Sequence, residues 1–143
     1  MRIEEHTVRF AGEAGDIETI VEDPGTPRGI ALVCHPHPLF GGANTNKVTQ
    51  TLARTFTRLG YVALRPNFRG VGGSAGTHAD GRGEAEDMLA VLDAARQTYG
   101  DLPVVLAGFS FGAYVQTRVA QALAAAGQPA QRLVLVGTAA GFV

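Results

Sequence analysis

The 143-residue sequence contains one cysteine, one lysine and no tryptophan. The lone Cys34 excludes a disulfide framework and suits a reducing compartment. The single lysine and eleven arginines are spread along the chain, and against 13 acidic residues they leave a net charge of −1. Such a balance gives no basic stripe for nucleic acid and no acidic solvating segment. No apolar run is long enough to cross a membrane, and Met1-Arg2-Ile3-Glu4-Glu5-His6 has no signal-peptide core. The expectation is a cytoplasmic protein with neither nucleic acid nor membrane as partner.

Glycine and alanine are plentiful, at 19 and 22 residues, and the hydrophobic share is 45%. A chain of this length folds as a single domain, residues 1–143, and can bury roughly two-thirds of its unfolded surface.

Two periods alternate along the chain. Residues 2–10 and 16–23 flank Ala11-Gly12-Glu13-Ala14-Gly15 and read as an antiparallel hairpin at a sheet edge. Continuous apolar runs follow at 29–34, 61–65, 103–108 and 133–136, the pattern of strands buried on both faces. Between them lie helical stretches at 46–59, 83–99 and 111–126. The first is expected to bury Val48, Leu52, Phe56 and Leu59, with Gly60 as its stop, and the second Met88, Leu92, Ala95 and Tyr99. Apolar strands spaced by amphipathic helices predict an α/β fold: a mostly parallel sheet with helices on both faces and an N-terminal antiparallel hairpin. No helix follows Leu133-Val134-Leu135-Val136 within the sequence, so that apolar strand is expected to be covered by more chain or by a partner.

Three segments carry chemistry. Gly108-Phe109-Ser110-Phe111-Gly112 is a G-x-S-x-G between a buried strand and a helix. On such a turn the serine is strained, with its hydroxyl above the sheet, and the helix N-terminus favours developing negative charge. Ser110 is the candidate nucleophile, and the amide of Phe111 is a candidate oxyanion donor. A plain Gly-Ser turn is the bland alternative.

Cys34-His35-Pro36-His37-Pro38-Leu39-Phe40-Gly41-Gly42 follows the first buried strand, where such sheets supply a second oxyanion donor. Prolines have no N–H, so the donor is His37 or Leu39, with His37 favoured because it lies two residues past the strand-end histidine. Each such donor stabilises the transition state by about 3 kcal/mol. His35-x-His37 could instead chelate a metal, but no further ligand completes a set nearby; neither metal nor cofactor is expected.

Asn67-Phe68-Arg69-Gly70-Val71-Gly72-Gly73-Ser74 follows the second parallel strand and contains Gly70-x-Gly72-x-x-Ala75, a dinucleotide-fingerprint variant. A pyrophosphate cradle needs a helix to start at the glycines, whereas helical periodicity resumes only near Gly83. A tight loop at the carboxyl edge of the sheet is the simpler reading.

The order of these three motifs resembles the α/β-hydrolase superfamily, in particular small lidless bacterial members related to dienelactone hydrolases and serine aminopeptidase-like esterases. The resemblance runs from the first strand to Val143. It implies a serine hydrolase acting on a carboxylic ester or related acyl bond, with Ser110 as nucleophile and the Phe111 amide and the His-Pro-His-Pro loop as oxyanion hole. Relatives often carry Asp where this chain has Asn67.

One departure matters. The family order is Ser, then acid, then His, yet residues 111–143 contain no His, Asp or Glu. The four histidines, at 6, 35, 37 and 78, all precede Ser110. The resemblance therefore implies a domain stopped after its sixth strand and lacking two strand–helix units, with the 143 residues alone close to inactive. The rival expectation is a non-catalytic module that binds a small ligand, or a second copy of itself, through the open edge at 133–136.

Overall fold

The computed structural model describes residues 3–137. A hairpin of β1 (Glu4–Gly12) and β2 (Gly15–Asp23) opens the chain, followed by β3 (Gly29–Cys34) and a short 3-10 turn at Pro38–Phe40. Then come α1 (Lys47–Arg58), β4 (Tyr61–Pro66), α2 (Arg82–Tyr99), β5 (Val104–Phe109), α3 (Phe111–Ala125) and β6 (Arg132–Val136). The six strands form one sheet in the order β1-β2-β4-β3-β5-β6. The hairpin joins antiparallel through β2 and β4, while β4, β3, β5 and β6 run parallel. The α/β class, the edge hairpin and all three helices agree with the sequence expectation.

Each parallel strand sends alternate residues to opposite faces. Along β3, Ile30, Leu32 and Cys34 join a large cluster with Met88, Leu92, Val115 and Val119 of α2 and α3. Ala31 and Val33 point the other way and pack with Ala53 and Phe56 of α1. Small side chains there, Ala31, Ala63 and Ala107, let α1 lie close to the sheet.

The buried stripe of α1 differs from expectation. Its buried residues are Thr49, Ala53, Phe56 and Thr57, and Leu59 is 52% exposed. Threonine can line a core when its hydroxyl finds a partner. Thr57 Oγ1 donates to Ala53 O at 2.9 Å and lies 3.2 Å from Glu22 Oε2, and Thr49 Oγ1 bonds Asn46 Oδ1. Asn46 also caps the helix, accepting from Val48 and Thr49 amides, and Gly60 takes the left-handed conformation just beyond its end.

Beneath α1 lies a buried ion pair. Arg65 Nη2 sits 3.2 Å from Glu22 Oε1, with both side chains almost wholly inaccessible. Arg54 reaches the same oxygen at 3.2 Å, and Arg65 Nη1 donates to Asn44 O at 2.7 Å. These contacts tie β2, β4 and the segment before α1 together. At the far side of the sheet, Leu133 and Leu135 of β6 are 41% and 36% exposed. No helix among the described residues is long and apolar enough to cross a membrane.

Candidate active site

Strand β5 ends at Phe109 and α3 begins at Phe111, so the whole reversal falls on Ser110. Its φ of 57° and ψ of −117° put a non-glycine residue in backbone space that costs about 1–3 kcal/mol. The surroundings hold it there. Ser110 N–H donates to Val136 O at 2.9 Å, and its carbonyl accepts from Ala113 N–H at 3.0 Å. Its side chain makes no capping bond to the helix it precedes.

The flanking glycines are required by close backbone approach. A Cβ on Gly108 would lie 2.5 Å from the Gly112 carbonyl, and one on Gly112 would strike the carbonyl of Cys34 and, at 2.6 Å, that of His35. The first turn of α3 thus rests directly on the end of β3, where the His-Pro-His-Pro segment starts. Gln116, one turn further on and fully buried, locks this seat: its Nε2 donates to Leu32 O and Ala107 O, both at 2.9 Å. The sequence offered no sign of it, since a lone glutamine on a helix is normally exposed.

The two histidines of His35-x-His37 have different tasks. His35 is fully buried; its Nδ1 bonds Pro36 O at 2.7 Å and its Nε2 accepts from Phe68 N–H at 3.0 Å. The ring is therefore the neutral Nδ1–H tautomer with no lone pair left for a metal or a proton. Burial outweighs the Pro36 bond and lowers its pKa to about 4. Among the described residues no group of three or more His, Cys, Asp or Glu could hold a metal ion. Burial likewise pushes the Cys34 thiol up, leaving it inert.

His37 caps the 3-10 turn, its Nδ1 accepting from Leu39 N–H at 3.0 Å. That bond occupies the Leu39 amide. The His37 ring lies 4.8 Å from the Phe111 ring, so the structure brings the loop after β3 against the residue that follows Ser110. Burial and then the nearby His78 lower its pKa, opposed by Glu84 and Asp80. His6, by contrast, is exposed on the edge strand β1 opposite Val21.

The loop after β4 is closed on itself. Glu18 Oε1 accepts from Gly73 N–H at 3.0 Å and from Asn67 Nδ2 at 2.9 Å, so the Gly73 amide is already taken by a carboxylate. Asn67 Oδ1 accepts from Asn44 N–H at 2.9 Å, so this position uses a donor and an acceptor together. An aspartate would set a second carboxylate against Glu18, which explains asparagine here. Arg69 forks onto Asp87 at 2.9 and 3.2 Å and fastens the loop to α2.

Residues 25–142 match the family described as serine aminopeptidase, S33. An uncharacterized protein of Rickettsia prowazekii (strain Madrid E) is 42% identical over 110 residues, which cover 76% of this chain and 46% of that protein. An alpha-beta serine hydrolase homologue from Coxiella burnetii is 38% identical with a TM-score of 0.80. A Xanthomonas campestris protein, a member of the serine hydrolases without lid, is 37% identical with a TM-score of 0.84. Both structural matches cover 94% of this chain and 62% of the relative, so the chain spans less than two thirds of their length.

Proposed function

The chain belongs to the serine aminopeptidase S33 family of α/β serine hydrolases, and on that premise we propose that it carries the nucleophile of a carboxylic-ester or related acyl hydrolase. The observation that supports this reading most is the positive φ of Ser110 between two glycines that admit no side chain. Strain at a non-glycine residue is maintained by its surroundings and suits a nucleophile projected above a sheet.

Ser110 Oγ would attack the acyl carbon of a small-molecule substrate as a base removes its proton. The oxygen of the tetrahedral intermediate would take hydrogen bonds from the Phe111 and His37 amides, each contributing about 3 kcal/mol. The protonated base would return that proton to the departing alcohol, thiol or amine as the acyl bond breaks, leaving an acyl-serine that water cleaves by the same steps. His35 is unsuited to be the base, because both its nitrogens are engaged. Residues 111–143 supply neither the histidine nor the acid of a triad, so residues 1–143 alone are proposed to turn over slowly or not at all. A cytoplasmic location fits the single buried thiol.

A fluorophosphonate probe tests the reading. It should label Ser110 in the full-length protein and fail to label Ser110→Ala. A full-length wild type that never labels sinks the hydrolase reading and favours the second one, a non-catalytic module of the same fold. The protein partner we propose is a second copy at the apolar β6 edge, where Leu133 and Leu135 are exposed. A stable monomer by native mass spectrometry overturns that pairing.

A further inference from the structure

We propose that His78 is a positioning residue for the Ser110 elbow: held by the buried Glu84, its ring braces that of His37 against Phe111. The inference rests on reading Ser110 as the nucleophile.

The anchor is Glu84 in the first turn of α2, a fully buried carboxylate. Its Oε1 accepts from Gly81 N–H and its Oε2 from Ala79 N–H, both at 2.9 Å. The same Oε2 lies 3.3 Å from His78 Nδ1. On the other side of the ring Asp80 Oδ1 stands 3.2 Å from Nε2, but that aspartate is almost wholly solvent-exposed. The inner carboxylate is thus fixed by two amides, while the outer one is free to move in water. The turn between them is forced into place: Asp80 has a φ of 52° and Gly81 one of 94°. A Cβ on Gly81 would lie 2.7 Å from the Tyr114 ring, so this turn abuts α3.

From that anchor the His78 ring reaches two parts of the proposed site. It lies 4.7 Å from the His37 ring and 5.4 Å from the Phe111 ring, and those two are 4.8 Å apart. The three rings form a triangle whose corners come from three separate segments. His37 and Phe111 are the proposed oxyanion donors, and the Leu39 amide hangs on the His37 ring. Displacing His78 therefore loosens the turn that carries one donor and the side chain beside the other. The charged and titratable groups around His78 are His37, Asp80 and Glu84, with Arg118 of α3 beside Gly81.

Two substitutions test the brace, His78→Ala and His78→Phe, the second keeping a ring without its nitrogens. Histidine-ring NMR should show both raising the pH at which His37 titrates, because a neighbouring like charge is gone. His78→Ala should speed hydrogen exchange at the Leu39 amide about tenfold, and His78→Phe should leave it near wild type. Fluorophosphonate labelling of Ser110 in the full-length protein should slow by about 10- to 100-fold in His78→Ala and recover in His78→Phe. Unchanged Leu39 exchange in His78→Ala, or a phenylalanine variant that behaves like the alanine one, overturns the brace. If the wild type does not label, the nucleophile reading falls, and Leu39 exchange alone decides the brace.

Discussion

Phe68 N–H donates to His35 Nε2 at 3.0 Å, joining residues 33 positions apart and fastening the loop after β4 to the loop after β3. The bond exists only while the ring is neutral, because a protonated Nε2 has no lone pair to offer.

The first prediction concerns pH. His35 titrates at about 4 in the folded protein and at its ordinary value of 6.5 when unfolded. Between these values the unfolded chain binds more protons, so stability falls as pH drops through the window and the loss levels off below its lower end. The full span contributes about 3 kcal/mol. Urea denaturation of wild type and His35→Asn between pH 7 and 4 should show a stability difference that shrinks with acidification. Parallel pH dependences in the two proteins would contradict the assignment.

The second prediction separates strain from chemistry. Glycine tolerates the φ of 57° that serine carries at position 110. Ser110→Gly should raise unfolding stability by about 1 kcal/mol while abolishing fluorophosphonate labelling. A loss of stability would argue against a strained elbow.

A third prediction addresses the pair beneath α1. Arg65→Met takes one of two arginines from the buried Glu22, leaving Arg54 and Thr57 against it among the described residues, and should cost about 3 kcal/mol. Arg65→Met combined with Glu22→Leu should recover most of that, measured by chemical denaturation. If the double variant is as unstable as the single one, the loss of one of the two arginines facing Glu22 is not the cause.

A fourth tests why position 67 is asparagine. Asn67→Asp exchanges a donor for a carboxylate facing Glu18, where the amide now makes a 2.9 Å bond. The variant should lose about 1–3 kcal/mol at pH 7, with part of the deficit returning near pH 4 as the two carboxylates share a proton. A pH-independent deficit would assign the loss to packing.

Much of this architecture can be read directly from the chain. Runs such as Ile30–Val33 and Val104–Ala107 are apolar without alternation because helices cover both faces, and the motifs fall at their carboxyl ends as the parallel sheet requires. The buried stripe of α1 escapes a hydrophobicity pattern because Thr49 and Thr57 satisfy their hydroxyls inside the helix–sheet contact. Glu84, His78 and Gln116 are harder still. The burial of Glu84 and Gln116 and the ring contacts of the exposed His78 depend on partners brought from other segments, and a carboxylate three residues after Gly81 looks like an ordinary helix cap. The tautomer of His35 is likewise invisible until Phe68 arrives from the loop after β4.

The seat of α3 on β3 has one more consequence. Glycines at 108 and 112 serve the fold, since adding one methyl group would pry helix from sheet, whereas Ser110 is a burden on the fold. On the proposed reading of Ser110 as nucleophile, a lineage released from selection for hydrolysis would relax the serine first and keep both glycines. A chain with this sheet, these glycines and no serine between them would be the mark of a descendant that had given up the chemistry and kept the shape.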